Sequence, residues 1–179
     1  MSIYPPPKDW FRRPTGGERT WIGLSMVWCL VMFLMMPYWH FKGKQNSTGE
    51  AYAVDPQAFS KRVEEFIAKN QVEEFEAGGA LHRVVQTTPG QDIYLKASMF
   101  MFEPVLKLKK GAEYRLHVSS MDVQHGFSLQ PMNMNFQILP GYDHVLTITP
   151  TQAGEYTILC NEYCGIAHHT MTGKIIVEN

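Results

Sequence analysis

The sequence predicts a mainly β domain, a sandwich or barrel, carried behind one N-terminal membrane-spanning helix. Three observations point there. Residues 20–41 form a run of 22 without Asp, Glu, Lys or Arg. After Gly79 the apolar residues shift to the two-residue alternation of strands. Short strand-like runs are then separated by Pro89-Gly90, Lys110-Gly111, Pro140-Gly141 and Ala153-Gly154, the punctuation of an all-β fold. The chain is accordingly read as an N-terminal segment over 1–19, a transmembrane helix over 20–41, a linker and amphipathic helix over 42–79, and the β domain over 80–179.

Composition narrows the function classes. The chain has 179 residues, enough for one domain of about 130 residues and an anchor. Its formal net charge of −1 gives no basic field to hold nucleic acid. Aromatics at 12% exclude a disordered chain. Three cysteines are too few for a disulfide-built scaffold. Charge is divided unevenly: residues 1–50 hold six Lys/Arg against three Asp/Glu, and residues 51–179 hold ten against fourteen.

The apolar run, as a helix of about 33 Å, is long enough to cross a bilayer core of about 30 Å. Trp21 at one end, with Tyr38 and Trp39 at the other, fits the aromatic belts of a span, and Pro37 marks a place where the helix can stop. A cleavable signal peptide would have a shorter apolar part and a small-residue cleavage site, which Tyr38-Trp39-His40-Phe41 does not supply. Four basic residues precede the span and two follow closely. The N-terminus is therefore expected in the cytoplasm and the β domain on the outer, periplasmic side of the cell's inner membrane. Cys29 inside the span reads as a small apolar residue.

Lys42 to Tyr52 is polar and reads as a linker. From Pro56 to about Glu76 the spacing of Phe59, Val63, Phe66, Ile67 and Phe75 predicts an amphipathic helix, ended by Gly78-Gly79. The acids Glu65, Glu73, Glu74 and Glu76 read as a solvated face. Strands are expected over 80–88, 92–102, 104–109, 112–119, 133–139, 144–149, 154–159 and 173–177.

The last hairpin is the informative stretch. Cys160-Asn161-Glu162-Tyr163-Cys164 is followed by His168 and Met171, which places two thiols, an imidazole and a thioether in one loop closed by two strands. A Cys160–Cys164 disulfide would leave His168 and Met171 without a role. Zinc accepts thiolates and imidazoles, but Met is not among its usual ligands. Thiolate, thioether and imidazole together favour copper. One copper with one Cys, two His and a weak Met makes a blue-copper site; the second Cys allows thiolates to bridge two metals. The second imidazole is expected from His125, which follows a strand in SMDVQHGFSL at a turn allowed by Gly126. His82, His117 and His144 read as ordinary strand residues, His40 as a ring at the membrane edge, and His169 as pointing away from its neighbour His168.

The motif Cys160-x-Glu162-x-Cys164-x-x-x-His168-x-x-Met171, with Asp122-x-x-His125 upstream, resembles subunit II of cytochrome c oxidase, which carries the dinuclear copper centre CuA. The resemblance covers residues 90–179 as a cupredoxin-like Greek-key domain, and the single preceding helix looks like that of the short B-type subunits. It implies that Cys160 and Cys164 bridge two coppers, that His125 and His168 each bind one, and that Met171 and the backbone carbonyl of Glu162 are weak ligands. It further implies a magnesium ion at the Glu162 carboxylate, shared with subunit I, and a supporting role for Asp122 behind His125. Phe100 and Phe102 stand where relatives place aromatics for electron entry, although alternation sends one of the two into the core. Relatives carry a Trp there, and residues 51–179 have none.

The implied function is electron entry. The chain would take electrons from a c-type cytochrome and pass them to a haem in subunit I, a membrane partner that reduces oxygen to water and pumps protons. It would catalyse no substrate chemistry itself, and none of its residues is read as catalytic. The alternatives are a copper subunit of a nitric oxide reductase and a membrane-tethered copper carrier; a carrier would hold one exchangeable ion in an open site.

Overall fold

The computed structural model describes residues 4–5, 8, 11–42 and 50–179, and the chain divides into two compact units, residues 1–45 and 46–179. Within the expected linker, 43–49 lies outside the described residues, as do 1–3, 6–7 and 9–10 in the expected N-terminal segment.

The first unit contains α1 (Gly16–Lys42), with no buried residue. It begins a turn before the uncharged run. Thr15 and Glu18 form half of a capping box: the Thr15 amide, a donor the helix start would leave orphaned, donates to Glu18 Oε2 at 2.6 Å, and the Thr15 hydroxyl donates to the same oxygen at 3.0 Å. Pro37, expected as a stop, lies inside the helix. It removes a single backbone donor without ending the helix.

The second unit contains β1 (Glu50–Ala53), α2 (Pro56–Asn70), β2 (Gln71–Ala77), β3 (Ala80–Gln86), β4 (Asp92–Ser98), β5 (Met101–Glu103), β6 (Val105–Lys109), β7 (Tyr114–Ser120), β8 (His125–Gln130), β9 (Met134–Ile138), β10 (Tyr142–Ile148), β11 (Gly154–Leu159) and β12 (Thr172–Glu178). One sheet runs β1-β10-β7-β4-β5 and the other β2-β3-β6-β12-β11-β8-β9. Most neighbours are antiparallel; β4 with β7, β3 with β6 and β6 with β12 are parallel. The core is apolar, with Ile93, Leu95, Leu116 and Val118 of the first sheet and Leu106, Phe127, Leu129, Ile158 and Ile175 of the second all buried. This is the cupredoxin-like sandwich that the strand pattern and the motif predict.

Three local expectations are corrected. The helix ends at Asn70, not near Glu76. Asp55 caps its start by accepting from the Gln57 and Ala58 amides at 3.0 Å each, and Phe59, Val63, Phe66 and Ile67 complete its buried face. Phe75 keeps the apolar spacing by coincidence and belongs to β2. Gly78 and Gly79 have φ of 59° and 77° and make the two-residue turn of the β2–β3 hairpin, a backbone shape that glycine adopts without strain. The end of the expected linker, Glu50–Ala53, is an edge strand paired with β10. Finally, the region of His125 is a strand, β8, and no turn occurs at Gly126.

A network of charges ties α2 to the sheets. Glu64 accepts from Arg83 at 2.6 and 3.0 Å and from Lys96 at 2.6 Å, and Arg83 also donates to Glu103 at 2.6 Å. The Arg83 guanidinium is the main cause that holds the Glu64 carboxyl down, from 4.5 to about 2. A carboxylate depressed in the folded state stabilises above its unfolded pKa, and that contribution is lost as pH falls through the folded value. The metal-free protein is therefore expected to lose stability from pH 4.5 down to about 2; in acid titrations followed by circular dichroism, Glu64→Gln should be less stable at neutral pH and flatter across that window. Phe102 is 2% exposed and meets Phe127 edge-on at 6.1 Å. Phe102→Ala should cost about 3–5 kcal/mol in urea unfolding, and a cost below about 1 kcal/mol would show that the ring is not part of the core packing.

Candidate metal centre

Two strands hold the loop that carries the ligand-type residues. β11 and β12 pair from Gly154↔Val177 to Leu159↔Thr172, and the Cys160 amide donates to the Met171 carbonyl at 3.2 Å, closing the loop one step beyond the ladder. Inside it, His168 N donates to Gly165 O at 3.1 Å and Met171 N to His168 O at 3.2 Å, forming a short 3-10 turn over His168–Thr170. That turn brings His168 and Met171 back over Cys164.

The side chains converge. Cys160 and Cys164 are free thiols with their sulfurs 3.7 Å apart. Cys160 Sγ lies 3.9 Å from His125 Nδ1 and 3.2 Å from the Glu162 carbonyl oxygen. Cys164 Sγ lies 3.6 Å from His168 Nδ1 and 3.7 Å from Met171 Sδ. Ligand atoms of His125, Cys160 and Cys164 all lie within 4.8 Å of one another, close enough to hold a metal ion. Cys164 is 6% exposed, Met171 1% and His125 0%. Burial, with the neighbouring Cys160 thiol, pushes the Cys164 thiol up to about 11. At Cys164 the pocket by itself thus favours the thiol, and a cation binding that sulfur must displace its proton.

His125 is aimed from behind. Its Nε2 lies 2.7 Å from Asp122 Oδ1, so the carboxylate accepts the ring proton there and leaves Nδ1 facing Cys160. Asp122 also accepts from the Met99 amide and the Val123 amide, both at 2.7 Å. Burial opposes its ionisation, but these hydrogen bonds outweigh it and hold the carboxyl below its ordinary value. Through Asp122 the His125 ring is tied to the Met99–Phe100 backbone.

Of the two phenylalanines singled out for electron entry, Phe102 is in the core, and Phe100, half-buried, lies over the loop, 3.2 Å from where a Cβ on Gly165 would stand. The other imidazoles are elsewhere. His169 is exposed, and His82 stacks on Phe75 with ring centres 5.2 Å apart. His144 accepts from the Leu139 amide at 3.4 Å. His117, which the sequence presents as an ordinary strand residue, is half of a buried pair with Asp143 at 2.9 Å. Three residues hold the loop from below, a role the sequence reading misses. Gly126 packs directly under Asn161 and Glu162. Asn135 accepts from Asn161 Nδ2 at 2.8 Å, and Gln137 donates to Glu162 Oε1 at 3.2 Å. Only the glycine after His125 is a visible signal, and in sequence it points to a turn.

The donor set suits copper: two thiols, two imidazoles and a thioether, enclosed in an apolar shell. Residues 89–179 match the family model described as cytochrome c oxidase subunit II, periplasmic domain. A cytochrome c oxidase subunit 2 of Thermus thermophilus is 30% identical over 163 residues, which are 90% of this chain and 91% of that protein. A second Thermus thermophilus protein of that name is 40% identical over 97 residues, 53% of this chain and 72% of its own length. In structure, a chain of a heme-copper terminal oxidase dimer solved by cryo-electron microscopy aligns over 90% of this chain and 99% of its own, with a TM-score of 0.57 and 24% identity. With a family model over half of its length and a full-length relative at this identity, the chain belongs to the family of subunit II of the heme-copper cytochrome c oxidases.

Proposed function

We propose that this subunit is the electron-entry point of its oxidase: it takes electrons from a c-type cytochrome and hands them to haem in subunit I, where oxygen is reduced to water with proton pumping. The convergence of two unlinked thiols, an imidazole and a thioether from the 160–171 loop with the buried imidazole of His125 from β8 carries this reading. Cys160 and Cys164 would bridge two copper ions, His125 and His168 would each hold one, and Met171 Sδ and the Glu162 carbonyl would be weak ligands. When bound, the dinuclear copper centre supplies a one-electron relay whose charge is shared over two metals, so that little moves on reduction.

The chain's own residues prepare for that relay. The loop's internal hydrogen bonds and the β11–β12 ladder hold the sulfurs at a set spacing, which lowers the cost of rearrangement on electron transfer. Asp122 keeps a proton on Nε2 of His125 and so orients the opposite nitrogen. Burial excludes water from Cys164 and Met171. Phe100, over the loop, is the ring placed for electron entry. The half-buried Glu162 carboxylate, held by Gln137, is the group offered to a magnesium ion at the contact with subunit I. In this reading α1 is a single membrane span with a cytoplasmic N-terminus, and it keeps the β unit on the outer side near its haem partner.

Two measurements test the reading. The detergent-solubilised chain loaded with copper should bind two ions and show one unpaired electron coupled to both nuclei by electron paramagnetic resonance. It should also oxidise a reduced c-type cytochrome. One ion per chain with a single-copper spectrum, as a carrier would give, would falsify the reading, and Cys160→Ser or Cys164→Ser should abolish the shared signal. Met171→Leu should move the reduction potential while both ions remain, because a weak thioether donor would tune the metal more than hold it; loss of both ions together would contradict that role.

A further inference from the structure

We infer that Gly126 is the positioning residue that sets where the Glu162 carbonyl stands in the metal centre, an inference that rests on the dinuclear copper reading. Gly126 follows His125 on β8 and has no positive φ, so its backbone conformation is open to any residue. What the position lacks is space. A Cβ placed there would lie 2.0 Å from Asn161 Oδ1, 2.7 Å from Asn161 N and 2.7 Å from Glu162 N. The Asn161 side chain can swing aside, but the two amides belong to consecutive peptide planes of the ligand loop. They can retreat only if the loop backbone moves away from β8.

The same two loop residues are held from the neighbouring strand. Asn135 accepts from the Asn161 side chain at 2.8 Å and Gln137 donates to the Glu162 carboxylate at 3.2 Å. Gln137 stands directly opposite Gly126 in the β8–β9 ladder. The bare Cα below and the two amide side chains beside it form one seat for the 161–162 backbone. The peptide that leaves this seat carries the Glu162 carbonyl, 3.2 Å from Cys160 Sγ. None of the three seat residues is a ligand. His125 has its own support in Asp122, and the thiols stand on the loop and its strands, so the seat governs the weak oxygen donor more than the strong ones.

Adding a methyl group at Gly126 lifts this peptide and lengthens the approach of its oxygen. An oxygen donor favours the more oxidised metal, so drawing it back favours reduction. The test compares the full-length, copper-loaded chain with Gly126→Ala and with the double variant Asn135→Ala/Gln137→Ala, which frees the loop without adding an atom. Expected are two coppers per chain in every protein, an upward shift of the reduction potential in Gly126→Ala, and an altered copper hyperfine pattern in both variants. In the metal-free proteins the amide resonances of 161 and 162 should move while those of 116 and 118 in the core stay. Two coppers with wild-type potential and spectrum in both variants overturn the inference, as does loss of copper from Gly126→Ala, which would make the residue a condition of assembly. If Gly126→Ala does not fold, the double variant decides by its spectrum alone. Wild-type protein that does not hold two coppers overturns the dinuclear reading instead, and the metal-free resonances still report whether the seat positions the loop.

Discussion

The centre depends on the ladder between β11 and β12. Its six paired positions fix the two feet of the loop, and the Cys160–Met171 hydrogen bond carries the pairing one step further. With the feet fixed, a loop this short has few conformations, and its own 3-10 turn removes most of those left. The sulfurs of Cys160, Cys164 and Met171 are then neighbours by construction. β12 does more than close the hairpin. It also pairs in parallel with β6, so the feet are embedded in the middle of a seven-stranded sheet. A close-packed interior has low compressibility, so the feet have little room to shift.

His125 reaches the same point by a different route. β8 is the antiparallel neighbour of β11, which puts the start of β8 beside the end of β11 and the imidazole beside Cys160. Asp122, two residues after β7, turns the ring and anchors it to the backbone at Met99, beyond the end of β4. Three separate stretches of chain, 99–100, 122–125 and 160–171, therefore meet at one end of the sandwich. The polar groups there are nearly all engaged with one another, while the surrounding side chains, such as Phe100 and Phe102, are apolar. Such a shell strengthens each electrostatic contact inside it.

Much of this was legible in the sequence, for identifiable reasons. The spacing from Cys160 to Met171 is local, and a loop of that length leaves little freedom, so residue types alone nominate a cluster. The uncharged run before Lys42 and the alternation after Gly79 are likewise one-dimensional signals. The misses share a cause. Phe75 keeps helical spacing with Ile67, yet β-pairing with β3 decides its state, and local spacing carries no information about that partner. Gly126 suggests a turn because glycine often marks one; its real demand comes from Asn161 and Glu162, 35 and 36 residues away in sequence. His117 and Asp143 are buried together across β7 and β10, and nothing at either position alone announces the other. Thr15 and Glu18 are a readable helix start that the charge-free run overshadows.

The parallel pairing of β12 with β6 places Ile175 beside Leu106, and it bears on how the protein matures. As the polypeptide is made, both cysteines of the loop exist before the strand that seals them, and that strand must find a neighbour laid down far earlier. Contacts so remote in sequence form late. Until they do, Cys160 and Cys164 lack the burial they have in the finished domain. The enclosure of the sulfur pair is therefore complete only once stretches 69 positions apart in sequence lie side by side.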